Sequence, residues 1–546
     1  MRQGRLLEKL TTKAIACSTP APDQPGSRPV TRGLALFLLA ISPLAGATTH
    51  RVHAGQDGAT IQRIISGASP GDIVSFDAGS YTIASTLALK CGVTYTGPAA
   101  TPATAEITTS TANMSLTSMG GGCSSRTTTV IEYLQFNGAG PLYLDPSNYS
   151  NIIFEHNQVT SLPGGESCGG TCLSLFFDGN NRNSDSNITI QYNTFGDTNS
   201  CTAVLTIDDG ACSGILVNQI AFLSNFLVRY NTFYHLQEGI HLSNVNYVVG
   251  NSSATCNNCD IEFNYFNAIH RIATEFQFNV LGKPAIISNN VYGNPINPYY
   301  NTLTASIPCC QYGRKFGTLT PVVPANYIAN NIEINTLGSA NSSPYGVEMA
   351  GTGTRTSNNL IQGSFCNGVV WSFGAANWTI QDNTIQGSQM ASGGTCPTSN
   401  SIPSHFITAE SGGTYSPIIS GNVTGSSPSA IPSVAPTISP ASGVQSYPLK
   451  VTLTDAGYAY GPQPLGNTGI WYTRDGSTPV PGKGTAQYLA SGGFFSLPAP
   501  ATVKAVGMWG TPNQPTSYPA GYGFVPSPVV SAQYASGVVS QPRRPR

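Results

Sequence analysis

Five short segments of this sequence hold polar groups at alternate positions: Thr206–Gly210, Gly239–Ser243, Ala273–Gln277, Gly346–Ala350 and Val369–Ser372. Within them stand the residues best suited to chemistry: Asp208, His241, Glu275, Gln277, Glu348 and Trp371. Apolar–polar alternation is the mark of a strand with one buried face, so these groups would line up along one outward surface. Glycoside hydrolysis needs one acid to protonate the leaving oxygen and a second carboxylate as base or nucleophile. Glu275, Glu348 and Asp208 are the candidate catalytic carboxylates. His241 could set a neighbour's pKa or bind sugar hydroxyls, and Arg271 could hold the carboxylate of an acidic sugar. Gln277 offers an amide to a hydroxyl, while Trp371 and the Tyr299–Tyr300 pair offer rings to stack on a sugar. Charged residues are only 9% of the chain, against roughly 25% in an average soluble protein, so the cluster Arg271, Glu275, Gln277 stands out. The alternative for each is plain: an isolated glutamate is ordinary soluble surface, His241 a satisfied wall residue, Trp371 a ring under a loop. A one-residue slip in the alignment would also turn any of them inward.

The elements that would position these groups are announced by a loose repeat. An apolar residue precedes an asparagine by about three places in Leu134–Asn137, Phe154–Asn157, Ile190–Asn193, Val228–Asn231, Ile261–Asn264 and Ile287–Asn290, and again in Ile328–Asn331, Thr356–Asn359, Ile380–Asn383 and Ile419–Asn422. The intervals run from 20 to 41 residues, the signature of a solenoid whose coils carry loops of varying length. A five-residue strand cannot bury its face alone. Stacked at about 4.8 Å, successive coils pair in parallel and enclose a continuous apolar interior. Asparagine tolerates the left-handed conformation and bonds to nearby backbone, so the repeated asparagines read as turn residues able to form a ladder. On this spacing Glu275 and Glu348 lie two coils apart, with the Asn290 coil between them and backbones about 9.6 Å apart. That is near the carboxyl separation of about 6.5–9.5 Å that suits inversion. Asp208 falls two coils from Glu275 on the other side, and His241 one coil away.

This pattern resembles the pectate-lyase-like superfamily of right-handed parallel β-helices. The stretch Asp57–Asp72 looks like the capping helix and turn that open many such proteins, and Ile73–Ile83 looks like a first coil. The resemblance implies an all-β fold, a right-handed parallel β-helix of about ten or more coils over residues 48–425. It implies little about activity, because such folds host many chemistries. Polygalacturonase-like hydrolases carry Asn-Thr-Asp, Asp-Asp, Gly-His-Gly and Arg-Ile-Lys; here only Asp208-Asp209 and Arg271-Ile272 echo them. The motifs of calcium-dependent pectate lyases are missing, so calcium is not implied. A lyase of another family would use Arg271, Lys283, Arg314 or Lys315 to neutralise a uronate. The insertion from Gly293 to Tyr327, containing Cys309-Cys310, is long for a coil loop and reads as a lid or as decoration.

A Ser/Pro-rich linker at residues 426–435 leads into a different text. Leu449–Thr454 alternates as a strand, and the stretch from Tyr472 to Pro479 carries Asp475-Gly476, a turn signal. Residues 436–536 resemble the C-terminal domain of chitobiase and β-hexosaminidase, a small immunoglobulin-like β-sandwich. That resemblance implies an accessory to carbohydrate-active or cell-surface proteins. Residues 537–546 read as a disordered tail.

The net charge of −1 and the lack of a basic stripe exclude nucleic acid as a natural partner. Arg28 and Arg32 precede the apolar run Leu34–Leu44, and Ala45-Gly46-Ala47 fits a signal-peptidase site, so cleavage is expected after Ala47. No run is long enough for a membrane span. Val30 is an alternative initiator, which N-terminal sequencing of the precursor would test. Of thirteen cysteines, Cys17 is lost with the signal. Close pairs such as Cys168/Cys172 and Cys256/Cys259 point to disulfides in an oxidising compartment. A zinc site at Cys256/Cys259 lacks the second pair it would need. The expectation is a secreted monomer acting on a polysaccharide without cofactor or metal. A glycoside hydrolase comes first, then a polysaccharide lyase, then a non-catalytic glycan-binding or adhesion protein.

Overall fold

The computed structural model describes residues 47–84, 87–99, 103–109, 114–116, 127–138, 142–144, 150–161, 175–178, 184–197, 213–218, 222–234, 236, 238–243, 255–267, 269, 272–276, 279–280, 286–294, 314–316, 327–329, 332–335, 345–350, 355–362, 367–372, 379–386, 407–409, 418–425, 431–455, 469–480, 483–490, 492–507 and 524–536. The expected signal segment therefore lies outside the described residues. No helix among them is long and apolar enough to cross a membrane.

The central coils each contribute one strand to each of three sheets. Thus Ser184–Gln191 joins a fourteen-stranded sheet (sheet I), Thr194–Asp197 a twelve-stranded one (sheet II) and Ser213–Asn218 a ten-stranded one (sheet III). Neighbouring strands run parallel throughout. The chain is a parallel β-helix. Its interior is built as the alternation demands: Ile188 and Ile190, Phe226 and Val228, Ile215 and Val217, Ile240 and Leu242 are all at most 1% exposed. Sheet II contributes a column of stacked rings, Phe195, Phe233, Phe266 and Tyr292, with centroids 5.0, 4.8 and 4.7 Å apart. The helix Gly58–Gly67 closes one end. Asp57 caps it by accepting from the Thr60 N–H at 2.7 Å, and Ile61 and Ile65 plug the core. A strand precedes that helix, Thr49–Val52, and pairs with Ile73–Phe76. At the other end Ile418, Ile419 and Val423 of the last coil are exposed.

Eight of the ten repeated asparagines form a ladder, buried at Asn157, Asn193, Asn231, Asn264, Asn290, Asn359 and Asn383 and half-buried at Asn422. In the best-described stretch each carbonyl oxygen accepts the backbone N–H of the previous ladder residue, as Asn231 Oδ1 does from Asn193 at 3.0 Å. Each amide nitrogen donates to a backbone carbonyl of the previous coil, as Asn231 Nδ2 does to Ile190 at 2.8 Å. Asn137 stands elsewhere, in sheet II, and donates to Glu106; the ladder place of that coil belongs to Leu134, whose N–H bonds to Asn157. Asn331 lies outside the described residues.

The left-handed residue is not the asparagine but the one before it. Tyr133, His156, Tyr192, Tyr230, Phe263, Asn289, Asn358 and Asp382 all have φ between 52° and 58°, and Gly421 follows at 66°. Bulky residues rarely occupy this region. Here the rings compensate by stacking coil on coil, with centroids 4.9, 5.0, 5.1 and 5.3 Å apart from Tyr133 to Phe263. Burial pulls the pKa of His156 below its ordinary value, with Glu155 acting the other way. The unfolded chain therefore takes up a proton that the folded ring resists. The stability this ring contributes is full above about pH 6.5 and is lost as pH falls through the window below it. His156→Phe should lessen the fall in Tm between about pH 7 and about pH 5; an undiminished fall would show that the stack is not the acid-sensitive element.

The sulfurs of Cys256 and Cys259 meet within the strand Thr255–Glu262, placed for a disulfide. They occupy the core positions that Leu223 and Phe226 fill one coil earlier. The left-handed Asn258 between them puts both on the inner side. Cys91 is also disulfide-bonded, and the other expected pairs lie outside the described residues.

Toward the C-terminus a three-stranded sheet (Thr437–Ser439, Leu449–Thr454, Phe494–Leu497) and a five-stranded sheet (Gly443–Gln445, Val530–Ser536, Ala501–Gly507, Gly469–Thr473, Gln487–Ala490) share a core of Val451, Leu453, Ile470, Tyr472, Val503 and Tyr534. Asp475 forms the turn after Gly469–Thr473, accepting from the Ser477 N–H at 2.9 Å and its hydroxyl at 2.6 Å. Those bonds, with one from Thr485, hold its carboxyl at about 2.

Candidate functional site

Sheet III fixes one row of residues across successive coils. Leu216, His241, Glu275, Lys315, Glu348 and Val370 are each the register partner of the next. Along their strands the flanking Ile240, Leu242, Thr274 and Val347 are buried, but His241, expected on the outward surface, is itself buried at 1% exposure because it is drawn in against Glu238. Glu275 and Glu348 thus stand two coils apart, with backbones about 9.6 Å from each other. The place between them is held by Lys315 of the strand Arg314–Phe316. Four consecutive ionisable positions in a chain with so little charge are the strongest chemical signal in the described sheets.

Beside the row lies a buried polar network. His241 Nδ1 is 2.6 Å from Glu238 Oε2, and the Ser213 hydroxyl donates to the same oxygen at 3.1 Å. All three residues are at most 1% exposed. An ionised Glu238 fixes the His241 tautomer with the proton on Nδ1, which leaves the ring's chemistry to Nε2. Glycine makes this arrangement possible. The strand pairing passes over Gly214 and Gly239. A Cβ at Gly239 would stand 2.6 Å from Phe266 of the ring column, and one at Gly214 2.7 Å from Phe233. The strand can press against the column only with no side chain there, and the irregularity lets Glu238 and His241 meet.

Glu238 was not among the residues singled out by alternation. Its signal was an acid followed by glycine, three places before the histidine, in a charge-poor chain. Glu238→Gln keeps the shape but removes the charge assistance, and should cost about 1–3 kcal/mol of unfolding free energy in a denaturant titration. A loss near zero would mean the pair is not ionic.

The remaining expected residues divide. Trp371 is the register partner of Met349, not of Glu348, one place along from the candidate row. It belongs to the set of positions that Val217 and Leu242 occupy as buried residues. The alternation of Val369–Ser372 alone could not fix that register, because the two valines before the ring are interchangeable by pattern. Asp208, Arg271 and Gln277 lie outside the described residues, as do Tyr299 and Tyr300.

No protein-family model and no curated protein matches the sequence. Among solved structures, the chain is similar to the catalytic unit of a thermostable GH87 α-1,3-glucanase from Streptomyces thermodiastaticus strain HF3-3, at 13% identity over 68% of this chain and 69% of that one, with a TM-score of 0.35. It is similar to PfbA, a surface adhesin of Streptococcus pneumoniae, at 13% identity over 68% and 93%, with a TM-score of 0.31. A third is an alginate lyase from Paenibacillus sp., at 15% identity over 63% and 99%, with a TM-score of 0.26. At this distance the likeness does not extend to any site or substrate.

Proposed function

We propose that this is a secreted, monomeric glycoside hydrolase that cleaves a polysaccharide laid across sheet III. The observation that carries the reading is the register row His241–Glu275–Lys315–Glu348. Two carboxylates at about two coils' separation leave room for a water between base and sugar, the arrangement of an inverting hydrolase. Glu275 and Glu348 are the acid–base pair. His241, buried against Glu238 and so out of reach of the sugar, is the register neighbour of Glu275 and tunes it. Asp208, Arg271, Gln277 and Trp371 remain candidate auxiliaries, Asp208 as a third carboxylate and the others as sugar-binding groups. The C-terminal sheets, on their resemblance to the chitobiase-type domain, serve as an accessory glycan module.

A lyase is favoured by one observation, the place of Lys315 in the row next to Glu275, where a cation would neutralise a uronate carboxylate. The two readings separate in one assay. Purified residues 48–546, incubated with neutral and acidic polysaccharides, should release reducing ends without ultraviolet absorbance from unsaturated sugars. Absorbance would establish the lyase instead. No turnover on any polymer would leave the rod as a binding or adhesion scaffold and overturn both.

A further inference from the structure

Sheet I carries a second ladder of amides, on its outer surface. Asn151, Asn187, Asn225 and Asn258 occupy the same place in four successive coils, each in the left-handed conformation with φ between 49° and 62°. Asn187 Nδ2 donates to Asn151 Oδ1 at 3.0 Å, Asn225 to Asn187 at 2.8 Å and Asn258 to Asn225 at 2.9 Å. Asn187 and Asn225 are exposed and the outer two are half-buried. The left-handed residue bends each strand, and the bend opens a groove of about 330 Å³ along the helix axis, from Thr128 at one end to Asp260 at the other. Its second row, two places along the strands, is Ile153, Thr189 and Leu227.

The buried ladder explains its own asparagines, because their amides satisfy backbone groups of the previous coil. The outer ladder's bonds run from amide to amide. At the exposed Asn187 and Asn225 the ladder bonds use one of the two hydrogens of the amide nitrogen and one of the two lone pairs of the oxygen, and the solvent side retains the rest, whereas the Nδ2 of Asn151 is buried. The groove therefore presents a donor and an acceptor at its two central coils, about 4.8 Å apart, beside a strip of aliphatic surface. Asp260 is the one ionisable residue among its described lining residues.

We propose that this groove is a second binding site, for a linear neutral glycan chain lying along the helix axis. Hydroxyls meet the amides and the apolar faces of the sugar rings meet Ile153 and Leu227. A peptide strand is disfavoured because the backbone groups here are already paired within sheet I, which leaves no edge to extend. An anionic polymer meets no cation in the groove and one acid. The proposal does not rest on the reading of sheet III.

The test uses glycine, which removes the amide yet accepts the left-handed backbone without strain. The double variant Asn187→Gly/Asn225→Gly and the parent protein would be compared by affinity electrophoresis in soluble galactomannan, hydroxyethylcellulose and dextran, with alginate as the anionic control. The double variant should bind at least one neutral polymer about tenfold more weakly, with alginate not retarding either form. A second variant, Leu227→Asp, should weaken binding as well, and its Tm reports whether it is folded. Equal retardation of parent and double variant would overturn the proposal, as would the absence of retardation in every neutral polymer, or retardation by alginate alone.

Discussion

Replacing Glu275 by Gln should lower polysaccharide turnover by about 10²–10⁴-fold, the range expected for loss of a positioned proton donor or acceptor. The Tm should scarcely move, since the substitution is isosteric. Glu348→Gln should do the same, and the double variant should lose little more than either alone, because two residues of one acid–base pair act as a unit. The pH profiles discriminate further. With both glutamates present, kcat/KM should follow a bell, one limb for the base and one for the acid. Removing one carboxylate should abolish one limb. Full activity in Glu275→Gln would place the chemistry elsewhere on the rod and leave the register row as coincidence.

Asn231→Ala should be among the most destabilising single substitutions in the chain. It strands the N–H of Asn193 and the carbonyl of Ile190, both in the interior, where neither reaches water. Each such group costs about 1–3 kcal/mol, so a loss of about 2–6 kcal/mol is expected in a denaturant titration. Asn187→Ala offers the control: its side chain bonds to the neighbouring side chains Asn151 and Asn225 and to no buried backbone group. Its loss should be smaller and come from the left-handed backbone, so Asn187→Gly should recover it. An Asn231→Ala protein within about 1 kcal/mol of the parent would mean that water enters the turn and takes over the amide's bonds.

The fold was legible because the ladder asparagine is almost obligatory: it is the one side chain that serves an N–H and a carbonyl of the coil before it. Alternation around it then placed His241, Glu275 and Glu348 at one register position, but not the side that His241 faces, since His241 is buried. What could not be read were departures from simple period. The left-handed turn residue is hidden because tyrosine and phenylalanine hold it, residues whose intrinsic preference is against it; only the stack across coils makes them acceptable, and stacking is invisible in one dimension. The place of Glu238 depends on the irregular pairing at Gly239, which breaks the two-residue period that pointed to His241. Trp371 was set one place off because Val369 and Val370 are equivalent in pattern, and the pairing of Met349 with Trp371 decides between them.

The turn residues also change character along the axis: rings from Tyr133 to Phe263, then Asn289 and Asn358, then Asp382, then Gly421. Ring faces in contact resist shear between coils, whereas an amide, an acid and a glycine resist it progressively less. In a solenoid each coil leans only on its neighbours, so such differences are not averaged over the whole. The stack of ring faces thus ends in the coil that carries Glu275, and Lys315 and Glu348 stand in coils joined without it.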